Sequence, residues 1–199
     1  MKINFKTLAV GLLIAVAASI SVGAATPGYG VGTANDDVVL KASQTTGYNT
    51  YINQRYGYSV DIPAVATESE ATPSGDGCYF EDPKTQAVIS TYGTRNMMNM
   101  TADQLYRIAL NVNGSPQLSI QERSDTGYVI GWQKKDKMFY EVLVVNSNGT
   151  YSSFSVVYPV KEKATYEGYL QHLADNGNEA AASALALYKR GREEDGLTV

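Results

Sequence analysis

Four stretches between residues 117 and 159 constrain this chain more than anything else in it. QLSIQERS (117–124), GYVIGWQK (127–134), KMFYEVLVVN (137–146) and TYSSFSVVYP (150–159) are rich in β-branched and aromatic residues, the composition of strands. Their connections are short: DTG, KKDK and NSNG. Asn148-Gly149 suits a hairpin turn that needs positive φ, and KKDK reads as a solvated hairpin tip. Strands joined this tightly run antiparallel, because a parallel neighbour needs a long crossover. FYEVLVV is apolar nearly throughout, which predicts a central strand covered on both faces.

Upstream, YINQRYGYSVDIPA (51–64) reads as a first hairpin. Tyr58, Val60 and Ile62 alternate with Ser59 and Asp61, the period of a half-buried strand. YNTYI is its partner, NQRYG the turn, and Pro63 ends the pairing because it has no amide hydrogen. ESEATPSGDG (68–77) reads as a polar loop, followed by two strands, CYFED and AVISTYG, around the turn PKTQ. Thr101 then opens a helix, TADQLYRIALNV, with Gln104 at capping-box spacing. Leu105, Ile108, Ala109 and Val112 are its expected apolar face, and Asn113-Gly114 its stop. A second helix is expected in KEKATYEGYLQHLADNG, with Tyr166, Leu170 and Leu173 on one stripe and Gly177 closing it. A third, Ala-rich helix is expected in NEAAASALALYKRG, with REEDGLTV as a frayed tail. The fold class expected is therefore α+β: a mostly antiparallel sheet flanked by two or three helices, since amphipathic helices need a sheet face to cover.

The ends speak to location. Lys2 and Lys6 precede fifteen apolar residues that finish at small ones, VGAAT, the layout of a secretory signal peptide. The run falls short of the roughly 20 residues of a membrane span. Cleavage is expected after Ala24 or Ala25, giving a signal peptide over 1–25, a flexible linker over 26–47, one domain over 48–177, and the Ala-rich helix and charged tail over 178–199. The mature chain is expected to be extracytoplasmic, periplasmic or secreted, with no span after cleavage. GYGVG in the linker has no preceding strand or following helix, so it is not read as a phosphate loop. Losing two lysines leaves 14 of the 16 basic residues against 20 acidic ones, without the basic footprint of nucleic-acid binding. The single cysteine, Cys78, cannot form an internal disulfide. It is read either as a small buried hydrophobe or as a reactive or cross-linking thiol.

The motifs YGYSVDIP, GDGCYFEDP, FYEVLVV and a closing YP before the last helix resemble the PsbP-like superfamily. That family is named for an extrinsic subunit of photosystem II and includes the Ran-binding Mog protein. The chain most resembles its small secreted bacterial domains of unknown function, over residues 48–176. The resemblance implies an α/β/α sandwich and an extracytoplasmic setting. One departure stands out: PAVATES lacks the tryptophan often found after this strand end, and the only tryptophan, Trp132, lies in a later strand. No metal ligand or partner surface is carried over.

Candidate chemistry is sparse. His172 is the only histidine; it sits on the final helix, and no nucleophile elbow occurs, so it reads as a packing residue rather than a base. One His and one Cys do not make a zinc site. DNGNE (175–179) and SGDGCYFED (74–82) lack the alternating acids of a calcium loop and read as turn chemistry. Asp61, Asp76, Glu122 and Glu141 lie in or near strands; paired across a cleft they would serve glycoside hydrolysis, and singly they serve solubility. The 15 tyrosines favour interfaces. Tyr128, Ile130 and Trp132 should share one strand face, either beneath a helix or as a recognition patch. No residue is assigned as catalytic, cofactor-binding or metal-binding, and no cofactor is expected. The reading is a non-enzymatic binding or scaffold domain with a protein or cell-envelope partner. The alternative is a carboxylate-dependent hydrolase of cell-wall or extracellular glycans.

Overall fold

The computed structural model describes residues 38–71 and 75–175; the expected signal peptide, most of the linker and the Ala-rich C-terminal segment lie outside them. Ten strands fall into two sheets. Strands β1 (Val38–Ala42), β2 (Tyr48–Asn53) and β3 (Tyr58–Pro63) form a three-stranded sheet in chain order. The larger sheet contains β4 (Thr67–Ala71), β5 (Gly77–Glu81), β6 (Val88–Arg95), β7 (Ile120–Ser124), β8 (Gly127–Lys134), β9 (Lys137–Val145) and β10 (Thr150–Pro159). Its order is β4-β5-β6-β10-β9-β8-β7, and every pair is antiparallel. Helix α1 (Ala102–Val112) carries the chain from β6 to the far edge at β7, and a 3-10 turn (Val160–Glu162) leads into α2 (Lys163–Asp175). The fold is α+β, mostly antiparallel, with two α-helices among the described residues.

Strand periodicity sorts the core into two clusters. Tyr140, Val142 and Val144 of β9 join a cluster with Val129, Phe154, Val156 and Tyr158; it also contains Tyr51, Val60 and Ile62 of the small sheet and Tyr166, Tyr169, Leu170 and Leu173 of α2. Phe139 and Leu143, on the opposite face of β9, join Tyr128, Ile130, Trp132 and Tyr151, with Leu105, Tyr106 and Ala109 of α1. As expected, β9 is central and covered on both faces. Each large apolar side chain so buried contributes about 1.5–3 kcal/mol.

Four expectations change. Val38–Ala42 lies in the stretch read as linker but pairs along β2, Leu40 opposite Tyr51. Residues 68–71, read as loop, belong to the edge strand β4, with a register irregularity between Glu68 and Glu70; glutamates lower β-propensity yet suit an edge, where charge discourages further pairing. The first hairpin does not join the later strands but builds its own sheet with β1. In α1 the buried stripe is Ala102, Leu105, Tyr106 and Ala109, while Val112 is exposed. Tyr106 displaces Ile108 from the face because a large ring seats against Tyr128, with centroids 5.7 Å apart. The expected cap holds: Thr101 Oγ1 accepts from the Gln104 amide at 3.3 Å, and Gln104 Oε1 accepts from the Thr101 amide at 2.9 Å.

The small sheet approaches the large one through tyrosines. Tyr58 lies against Gly93 of β6 so closely that a Cβ there would come within 2.4 Å of its ring. Thr150 Oγ1, at the start of β10, donates to the Tyr56 carbonyl at 3.1 Å.

Candidate functional site

The one histidine and one of the singled-out acids meet across the junction of the small sheet with α2. Pairing of β2 with β3 sets Thr50 opposite Asp61, and Thr50 Oγ1 donates to Asp61 Oδ1 at 2.6 Å. Ser43, just past β1, donates to Asp61 Oδ2 at 3.0 Å. On α2, Tyr169 and His172 are three residues apart and so share a face. Tyr169 donates its hydroxyl to the Asp61 backbone carbonyl at 2.6 Å, while His172 Nε2 lies 2.9 Å from Asp61 Oδ2. Tyr48 covers the imidazole, stacked at 3.7 Å between centroids and 6° between planes. The side chains of His172 and Asp61 are only 8% and 12% exposed. Burial, and secondly the Asp61 charge, push the Tyr48 phenol above its usual range.

This geometry differs from a nucleophilic relay. In a relay the serine donates to the histidine and the histidine to the acid. Here Ser43 and His172 both address the same oxygen of Asp61, so the imidazole does not stand between hydroxyl and carboxylate. The carboxylate, with at least three side-chain partners, serves to anchor α2 on the hairpin. Sequence reasoning placed Asp61 on a solvent-facing strand side and His172 as a partly exposed packing residue; the structure buries both and brings them together. The separation of 111 residues left no local signal for the pairing.

A second anchor lies at the other end of the tyrosine stripe of α2. Asp82 Oδ1 accepts from the amides of Lys84 at 2.9 Å and Thr85 at 3.2 Å. Tyr166 donates to Asp82 Oδ2 at 3.0 Å and lies 2.7 Å from Thr85 Oγ1. Burial raises the Asp82 pKa, but the bonds from Thr85, the two amides and Tyr166 outweigh it and hold the carboxyl below its usual range. Sequence reasoning missed Asp82 as a partner of α2. The Asp-Pro-Lys-Thr run signals only its local turn.

The remaining acids are dispersed. Glu141 is buried on the α1 face of β9 and accepts the Tyr128 hydroxyl at 2.6 Å, while its Oε2 has no hydrogen-bond partner among the described residues. Burial pushes its carboxyl up to about 7, against the smaller lowering effect of Tyr128. Asp76 accepts from Tyr56, and Glu122 is half-buried on the edge strand β7. Glu141 and Asp76 are thus held by different tyrosines, Tyr128 and Tyr56. Tyr128, Ile130 and Trp132 share a face beneath α1 and are 3% exposed or less, so they form core rather than a recognition patch. Cys78 is 1% exposed, and burial keeps its thiol protonated well above the usual range, the state of an unreactive core cysteine. Among the described residues no three His, Cys, Asp or Glu side chains gather as a metal site, and no helix is long and apolar enough to cross a membrane.

Fold and site together define an α+β domain with a seven-stranded antiparallel sheet and a small sheet latched by helix α2. No family model matches the chain, and no curated protein matches it. Among solved structures it is similar to the solution structure of cyanobacterial PsbP (CyanoP) from Synechocystis sp. PCC 6803, with a TM-score of 0.43 and 13% identity. That alignment covers 77% of this chain and 96% of the other.

Proposed function

We propose that the chain is an exported PsbP-like α/β/α sandwich that acts as a non-enzymatic binding or scaffold domain for a protein or cell-envelope partner. The observation that carries this reading is the use made of the groups best able to do chemistry. His172 is turned onto Asp61, and Asp61 is already held by Thr50 and Ser43. The two clusters on opposite faces of the large sheet support the layered arrangement, and the apolar run after Lys2 and Lys6 supports export.

The test has two arms. The mature chain, recovered from its source and measured by mass, should begin at Ala25 or Thr26; a chain retaining Lys2 overturns export. Mild cross-linking to envelope and secreted material should then give one stoichiometric adduct. Turnover of cell-wall or other glycans, lost in Asp61→Asn or Glu141→Gln, would replace this reading with the hydrolase.

A further inference from the structure

Three of the chain's five methionines fall within four consecutive residues, Met97, Met98 and Met100, in the loop between β6 and α1. The loop is closed tightly. The Asn99 amide donates to the Asn96 carbonyl at 3.0 Å, which makes Met97 and Met98 the central residues of a turn. The Asn96 side chain then holds Met100 by both backbone groups: its Nδ2 donates to the Met100 carbonyl at 2.8 Å, and its Oδ1 accepts from the Met100 amide at 2.8 Å. Asn99 takes φ 49°, turning the chain back toward Thr101 and the cap of α1.

Packing accounts for Met100 but not for the other two. Met97 and Met98 are 70% and 64% exposed, whereas Met100 is half-buried against the cluster beneath α1. Side chains this exposed gain little stabilisation from burial. What a thioether has and leucine lacks is a soft, polarisable sulfur, a neutral donor that needs no deprotonation. Residues 94–101, TRNMMNMT, contain no acid, so the loop offers little to a hard divalent cation, whose preferred ligands are carboxylate and carbonyl oxygens. Thioethers select Cu(I). Each methionine also has an unbranched stem with three rotatable bonds, so a five-residue ring pinned at both ends can bring three sulfurs to one ion.

We propose that Met97, Met98 and Met100 form an all-thioether site for a soft monovalent cation, Cu(I). The site stands independently of export and of any protein partner. Cys78 is buried in β5 and His172 is bonded to Asp61 on α2, so neither belongs to it.

The experiment titrates the full chain, held reduced with ascorbate, with Cu(I) against the bicinchoninate probe. The expected result is withdrawal of one equivalent per chain, unchanged in Cys78→Ser. The triple variant Met97→Leu, Met98→Leu, Met100→Leu keeps side-chain volume and folding, checked by an unaltered urea midpoint, and should bind at least tenfold more weakly. In a parallel titration with Ag(I), the methyl resonances of Met97, Met98 and Met100 should shift while that of Met138 stays fixed. No withdrawal by the wild-type chain, equal withdrawal by the triple variant, or a shift at Met138 alone would each overturn the site.

Discussion

Asp61 of the small sheet and Glu141 of the large sheet are both buried acids, and the fold treats them oppositely. Asp61, on the small-sheet side, receives Thr50, Ser43 and His172. Glu141, under α1, receives the Tyr128 hydroxyl, and its other oxygen has no hydrogen bond among the described residues. Burial by itself penalises a carboxylate; donors decide whether that penalty is offset. The lesson is that the first acid holds two elements together, whereas the second is tolerated in a core that apolar packing already holds.

The sharpest way to break this contrast is Asp61→Ala. It leaves the donors of Ser43, Thr50 and His172 buried without their acceptor and should cost about 3–4 kcal/mol in urea unfolding. A loss below about 1 kcal/mol would mean the junction holds without its acid. Gly93→Ala attacks the same junction by shape, since the new methyl meets the Tyr58 ring. Overpacking there should cost about 2–3 kcal/mol, with the loss concentrated in protection of β2 and β3 amides from exchange.

Glu141→Gln tests the other side through pH. The folded carboxyl titrates near 7 and the unfolded one near 4.5. Between those values the folded state holds a proton that the unfolded state has released, so this group makes stability fall as pH rises. Wild type should therefore lose on the order of 2 kcal/mol from this group between pH 4.5 and 7. The glutamine variant should lack that decline and overtake wild type at pH 8, which unfolding midpoints at the two ends would read. Superimposable pH curves would show that Glu141 stays ionised in the fold. The smallest effect is local: Thr101→Ala removes the α1 cap and should cost about 1 kcal/mol, leaving the small sheet's exchange protection unchanged.

Sequence pattern revealed what short-range chemistry dictates. Residues 127–134 and 150–159 are strands to the residue, because β-branched and aromatic runs sit between turns with few alternatives. The Thr101 cap was equally legible. β4 was not, since Thr-Glu-Ser-Glu-Ala has loop composition and becomes a strand only by pairing with β5. The division into two sheets was also hidden, because hairpin signals say which neighbours pair but not which hairpins pair with one another. The site depends on contacts of Asp61 and Asp82 with α2, residues 111 and 84 apart. No local period encodes such distances, so the acids were visible and their roles were not.

The place of β10 has a consequence for how the chain is assembled. It is the last strand in sequence among the described residues, yet it lies in the middle of the large sheet, between β6 and β9. Until residues 150–159 are available, β4–β6 and β7–β9 remain two half-sheets, each ending in a long apolar strand with open amides and carbonyls. Such edges pair readily with other chains. A chain emerging from its N-terminus therefore holds the β4–β6 half open from Arg95 onward and the β7–β9 half from Val145, until a single ten-residue segment closes both at once. Premature truncation should accordingly yield aggregates rather than a smaller domain.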